Sequence, residues 1–248
     1  MKTIYILWIR QLKRYVRSKS RMIGSLAQPL LFLVSLGYGF GHVFEQAGQG
    51  SYINFLAPGI IAMSIIFSAI FMGMEIIWDR QFGFLKETLV APVSRMNIMI
   101  GRTLGGATVA TMQGIIVFLI SMIAGFTPYN CALVPFAILV MVLVSVMFTA
   151  FGTMVASFLD DMHGFQMIMN FLVMPMFFMS GALFPFEGLP PAIATIAKFD
   201  PLSYGVDAFR TLLINQSHFG LGIDVLVLSV ITFIFLSLGS YFFSKIQI

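Results

Sequence analysis

Six stretches of the chain are each about as long as a helix needs to cross a bilayer, and almost no charge interrupts them. They are Met22–Phe44, Phe55–Trp78, Thr103–Phe126, Cys131–Leu159, Phe165–Phe184 and Leu221–Phe243. Roughly 20 mostly apolar residues span about 30 Å of hydrocarbon as a helix. In lipid only helices and closed barrels satisfy every backbone N–H and C=O. The blocks are continuous rather than alternating, which excludes a barrel of short amphipathic strands. Composition agrees: 59% of residues are apolar and 10% charged, with a mean hydropathy of +0.96. A water-soluble globule of this make-up would lack the polar surface to cover itself. A disordered chain would not be so rich in Phe, Ile, Leu and Met. The sequence therefore predicts an all-α polytopic membrane protein, residues 1–248 forming one transmembrane domain with six spans.

The cations give the orientation. Seven lie before the first span (Lys2, Arg10, Lys13, Arg14, Arg17, Lys19, Arg21), four between the second and third (Arg80, Lys86, Arg95, Arg102), and Lys245 is in the tail. Only Lys198 and Arg210 fall on the other side. Twelve against two places both termini in the cytoplasm by the positive-inside bias. The first span is too long for a signal-peptide core and lacks a small-residue cleavage site, so it is expected to be retained. The single Cys131 excludes an internal disulfide.

Within residues 1–21, Ile4, Tyr5, Trp8, Leu12, Tyr15 and Val16 recur at three- and four-residue spacing, with Arg10, Lys13, Arg14 and Arg17 between them. That pattern predicts an amphipathic helix in the interface, basic side chains among anionic headgroups. A plain positive-inside anchor is the competing reading. Residues 79–95 read DRQFGFLKETLVAPVSR, with Phe82, Leu85 and Leu89 at helical spacing and Pro92 ending any helix before it. Basic residues would suit lipid; here Asp79, Arg80, Lys86 and Glu87 mix signs, which also suits a protein partner held in register by complementary charge.

The run DRQFGFLKETLVAPVSRMNIMIGRTLGG resembles the cytoplasmic loop of type 2 ABC exporter permeases, especially their drug-resistance branch. In that loop an acidic–basic pair precedes Gly, then Leu-Lys-Glu, then Pro-Val and a basic residue. FLVMPMFFMSGALFPFEGLP and KFDPLSYGVDAFR resemble the family's second signature, in the expected order, and the resemblance covers essentially the whole chain. It implies a permease subunit whose loop docks, as a coupling helix, on a separate ATP-hydrolysing subunit. Gly83, Phe84, Leu85, Lys86 and Glu87 are the matching positions, framed by Asp79 and Arg80. The link around Asp160, Asp161 and His163 would be a second contact, with a solvated face as the alternative. Two ATP-binding subunits carrying ATP and Mg, and a second permease copy (identical or a close paralogue), would complete twelve spans. This chain itself would hold no cofactor or metal and bind no nucleic acid.

The absent motifs are consistent with that division of labour. No G-x-x-x-x-G-K-[ST] occurs, so the chain lacks a phosphate-cradling loop. Gly101, Gly105, Gly106, Ala107, Ala110 and Gly114 instead form a small-residue stripe suited to close helix contact. No Ser/His/Asp or Cys/His set is present. Ionisable residues are absent from mid-span, Glu75 and Asp224 lying near span ends, which argues against a proton-coupled carrier.

Residues 185–218 are too apolar for a free loop and too interrupted to cross the bilayer. Pro190–Pro191 and Asp200–Pro201 divide them into two short helices, and the resemblance implies a re-entrant pair capping the outer side. Asp207 and Arg210, three apart, are expected to pair, with Asp200 a competitor for Arg210. Prolines that bend helices mark spans one and five (Pro29, Pro175). Nearby Gln28, Phe32, Ser35, Met72, Met176, Phe177 and Met179 are the candidates to line a path, while most of the 18 Met and 27 Phe are expected to pack or face lipid. The function expected is ATP-driven export of hydrophobic, drug- or lipid-like compounds across the cytoplasmic membrane. A polysaccharide or glycolipid exporter of the same architecture is the alternative, told apart by aromatic residues at the channel mouth. A membrane scaffold, an integral-membrane enzyme or a non-ABC carrier is the third.

Overall fold

The computed structural model describes residues 2–46, 50–84, 90, 92–186 and 190–244. An N-terminal helix (Lys2–Arg17) leads into the first span (Lys19–Gly39) and a short helix (Gly41–Gln46). The second span is Tyr52–Gln81, the third Arg95–Ile123 and the fourth Val134–Phe158, entered through a 3-10 turn at Cys131–Leu133. The fifth span is Met162–Met179; two hairpin helices, Pro191–Phe199 and Pro201–Ile214, precede the sixth (Leu221–Ser244). Six of these helices are long and apolar enough to cross a membrane. The architecture is all-α, as the apolar blocks require.

Three boundaries differ from the expectation by five residues or more, each for a local reason. The third span begins at Arg95 rather than Thr103, because the Ser94 hydroxyl caps it by accepting the Asn97 N–H at 3.3 Å. Arg95 and Arg102 therefore belong to its first turns and not to a free connection. The first span stops at Gly39, five residues before Phe44, where the chain turns into the short helix. The fifth stops at Met179 and not at Phe184: Ser180 ends it and Gly181 takes φ +74°, a left-handed conformation that favours glycine.

The second span is the axis of the bundle. Of its apolar segment 83% is buried, against 17% for the first span and 22% for the fifth. It packs against the first, third and fourth spans, and the fourth also packs against the sixth. Small residues permit these approaches. A side chain at Gly73 would run into the backbone of Gly152, and one at Gly59 into that of Ala182. Gly106 faces Thr149 and Met72, and Gly114 faces Ile65. Lipid offers no hydrophobic drive between helices, so such close packing supplies the association.

The N-terminal helix departs from a simple interfacial helix. Leu7, Gln11 and Tyr15, spaced by four, are its buried residues, and Leu7 and Gln11 lie on the third span over Gly101 and Gly105. The Trp8 indole N–H donates to Thr108 Oγ1 at 3.0 Å. The Gln113 amide donates to the Tyr15 hydroxyl at 2.9 Å and to Ser25. Tyr5 and Val16 of the expected apolar stripe stay exposed. One face of this helix is thus committed to protein and the other is free for lipid. Gln113, a buried amide within an apolar span, was the residue whose role the spacing did not reveal.

A candidate coupling face and two cavities

The last turn of the second span brings Asp79 into a cluster of cations. Arg102 Nη2 meets its Oδ2 at 2.6 Å, Arg10 reaches Oδ1 at 3.3 Å and Arg14 reaches Oδ1 at 3.4 Å. Arg14 also lies 3.7 Å from Glu75, one turn earlier. Asp79 and Arg102 are each 4% exposed, so Asp79 binds the N-terminal helix to spans two and three and does not face outward. Arg10 is further held over the Phe84 ring, 3.7 Å from its centroid. Next to this cluster Arg80 pairs with Asp160, and also donates to the Leu159 carbonyl at 3.3 Å. Gln81 donates to the Asp160 carbonyl at 3.2 Å. The links after the second and fourth spans, remote in sequence, are therefore one surface.

Of the proposed coupling residues, Asp79, Arg80, Phe84 and Asp160 converge here. Gly83 follows at φ +78°, turning the chain out of the second span. Leu85, Lys86 and Glu87 lie outside the described residues. Asp161 caps the fifth span, accepting the Gly164 N–H at 2.7 Å. Backbone N–H groups of Gly164 and His163 hold its carboxyl below the usual aspartate range. Phe82 is 76% exposed, an apolar ring on a polar face.

A cavity of about 430 Å³ opens beside the cluster, between the N-terminal helix and the first and second spans. Gln28, Met72, Phe67, Phe71 and Trp78 line it, with Arg14 and Glu75 at its polar end. Two expected path residues, Gln28 and Met72, thus share one wall. Nearer the hairpin a second, apolar groove of about 480 Å³ runs between spans one and five and includes Phe32, Phe40, Phe178 and Phe184. Phe32 meets the buried Phe177 edge-on at 6.5 Å. Met176 and Met179 are half-buried, and Ser35 is exposed and lines neither space.

At the opposite end, the expected Asp207–Arg210 pair is not formed, and Asp200 does not replace it. No ion pair joins these three among the described residues. Arg210 donates to the carbonyls of Gly181 (2.6 Å) and Ala182 (3.4 Å) and stacks 3.9 Å from the Phe55 ring. Carbonyls just past a helix C-terminus lack intrahelical donors and sit at the negative end of its dipole, so they attract a buried cation. Burial lowers the Arg210 guanidinium to about 10, still charged at neutral pH. Asp207 accepts the His218 N–H at 2.8 Å and the Phe219 N–H at 2.7 Å. Asp200 caps the second hairpin helix through the Leu202 N–H at 2.8 Å. That burial pushes its carboxyl up to about 7, against the opposing effect of this hydrogen bond. The second hairpin helix is enclosed by spans two, four and six, so its charges are bound to backbone rather than to one another.

The described residues form a multi-pass bundle with a basic N-terminal helix, joined links after the second and fourth spans, and a broken hairpin before the last span. The chain matches the ABC-2 type transporter family over residues 2–214 and belongs to it. It is similar to Nodulation protein J of Rhizobium leguminosarum bv. viciae, 29% identical over 197 residues, 79% of this chain and 75% of that protein. It is also similar to the transport permease ycf38 of Cyanophora paradoxa, 26% identical over 86% of this chain and 75% of the relative. The ycf38 permease of Pyropia yezoensis is 30% identical over 79% and 68% respectively.

Proposed function

We propose that this chain is the membrane subunit of an ATP-driven exporter of hydrophobic, drug- or lipid-like compounds. It would work as two permease copies on two ATP-binding subunits, which hold ATP and Mg. Both termini would face the cytoplasm, in the inner membrane. The observation that carries the reading is the shared wall between coupling face and cavity: Arg14 and Glu75 belong to the ion cluster and also line the apolar cavity. A push on the cytoplasmic links would be felt where cargo sits. The cavity's mixture of Phe, Met and Trp suits varied apolar ligands, and its polar end suits a headgroup. The alternative of a glycolipid or polysaccharide cargo shares all of this up to the head of the molecule.

Two measurements test the coupling. Co-expressed with a genetically neighbouring ATP-binding subunit, the wild-type permease is expected to change that subunit's ATPase rate in liposomes, and Leu85→Asp with Glu87→Arg to abolish the change. An unaltered rate in that variant would sink the coupling assignment. Second, Arg80→Glu is expected to reduce coupled ATPase several-fold, and adding Asp160→Arg to restore most of it. Asp160 is largely exposed, so its own change should shift stability by less than about 1 kcal/mol, and thermal unfolding of the Arg80→Glu protein separates lost coupling from lost fold. A double variant no better than the single one would show that the pair does not transmit the signal.

A further inference from the structure

The face of the N-terminal helix turned away from the third span is not flat. A hollow of about 1120 Å³ lies along it and runs on to the start of the first span. Ile6, Arg10, Lys13 and Arg17 recur along this hollow at four-, three- and four-residue steps, a different stripe from the Leu7, Gln11 and Tyr15 that pack on protein. Lys19, in the first turn of the first span, closes the end, and Arg14 is the fifth cation. Its lining carries no carboxylate among the described residues. Arg10 and Arg14 also reach Asp79. Lys13, Arg17 and Lys19 are exposed and form no ion pair among the described residues.

We propose that this hollow binds one anionic phospholipid of the adjacent leaflet, its phosphate between Lys13, Arg17 and Lys19, and that Asp79 competes with that phosphate for Arg10 and Arg14. Depth, charge and apolar surface select that ligand. The apolar segment of the first span begins at Met22, three residues past Lys19, so the hollow lies where hydrocarbon gives way to headgroups. Lys13 and Arg17, four apart on one helix, repel each other unless an anion sits between them. A zwitterionic headgroup would bring a further cation into a site that already holds five. A soluble anion would answer the charge but leave Tyr5 and Ile6, 59% and 62% exposed, facing water where an acyl chain would cover them. Arg10 and Arg14 connect this lipid to the rest of the molecule, because the same guanidiniums hold the last turn of the second span. The site thus adds to the sequence pattern a stoichiometry, a position and a link to the ion cluster, and it holds whatever the permease carries.

The full-length permease, stripped of lipid in detergent, is titrated with phosphatidylglycerol or phosphatidylcholine, and native mass spectrometry counts the lipids retained per chain. The first phosphatidylglycerol is expected to bind about ten-fold more tightly than phosphatidylcholine. Lys13→Gln with Arg17→Gln should remove that preference, whereas Lys2→Gln, which takes a cation from the same helix outside the hollow, should keep it. These positions are exposed, so the variants should fold, which gel filtration of each checks. Asp79→Ala with Arg102→Met leaves the net charge unchanged and releases Arg10 and Arg14. It is expected to tighten the first lipid about three-fold; Asp79→Asn, which keeps an acceptor for Arg102, is the second route to the same result. Equal binding of the two lipids by wild type, or an unaltered preference in the Lys13 and Arg17 variant, would overturn the site. So would an equal loss in Lys2→Gln, or displacement of the lipid by inorganic phosphate or hexaglutamate at the same concentration. Unchanged affinity in both Asp79 variants would overturn the competition.

Discussion

Asp79→Ala is expected to lower the unfolding temperature of the purified permease by about 10 °C, the largest effect of any single charge removal. Arg102 is 4% exposed, and its contact to Asp79 at 2.6 Å is its ion pair among the described residues. Among the described residues its Nε and Nη1 have no hydrogen-bond partner, and Asp79 is the carboxylate that meets it directly. Removing one member of a buried pair leaves a desolvated charge and costs about 3–5 kcal/mol. That is a large share of the roughly 5–15 kcal/mol by which a folded domain is stable. Arg10 and Arg14 lose the same partner, and Arg14 keeps its approach to Glu75 and its place over the Trp78 ring. The N-terminal helix should therefore loosen first, and proteolysis within residues 2–17 should rise. Asp79→Ala with Arg102→Met is expected to recover most of the loss, since removing both partners of a buried pair is often nearly neutral. The check is thermal unfolding followed by helical circular dichroism. A single variant within about 2 °C of wild type would show that the cluster is solvated in the working protein.

How legible was this in the sequence? The six spans were, because a membrane span is written in one dimension: a continuous apolar run needs no partner to be recognised. The hairpin was too, since Pro191 and Pro201 begin its two helices wherever the rest of the chain lies. The stripe from Gly101 to Gly114 correctly announced close contacts but could not name them. Gly101 and Gly105 receive the N-terminal helix, whereas Gly106 receives the second and fourth spans and Gly114 the second. The ion cluster joins Arg10 to Asp79 across 69 positions, a pairing that no local spacing encodes. Arg210 shows the opposite failure. Its i–3 neighbour Asp207 suggested a side-chain pair, but the helix end at Gly181 offered carbonyls at a better distance. Backbone partners leave no trace in residue type. The Arg80–Asp160 contact lies between: both residues were read as belonging to the cytoplasmic face, and the fold showed that they meet.

Gly73→Leu carries the second large effect, and it acts on shape rather than charge. An ideal Cβ at Gly73 would fall well inside 3 Å of the Gly152 carbonyl carbon, and one at Gly152 would press on the Ile70 backbone. Main chain cannot rotate aside as a side chain can, so the second and fourth spans must separate. Overpacking of this kind costs about 1–3 kcal/mol, and the upper end applies where both surfaces are backbone. Gly73→Leu is expected to accumulate poorly in the membrane and Gly73→Ala to an intermediate level. Gly24→Ala, where a Cβ meets nothing within 4 Å, should behave as wild type or gain about 0.5–1 kcal/mol from helix propensity. In-gel fluorescence of tagged protein after size exclusion reads all three. The same crossing bears on function, because Gly73 lies two residues before Glu75 and on the helix that ends in Asp79 and Arg80. A Gly73→Ala protein that still folds should therefore show weakened coupling to the ATP-binding subunit along with its lower stability. Full coupling at reduced stability would mean that the second span bends above Glu75 and that the cluster moves independently of the crossing.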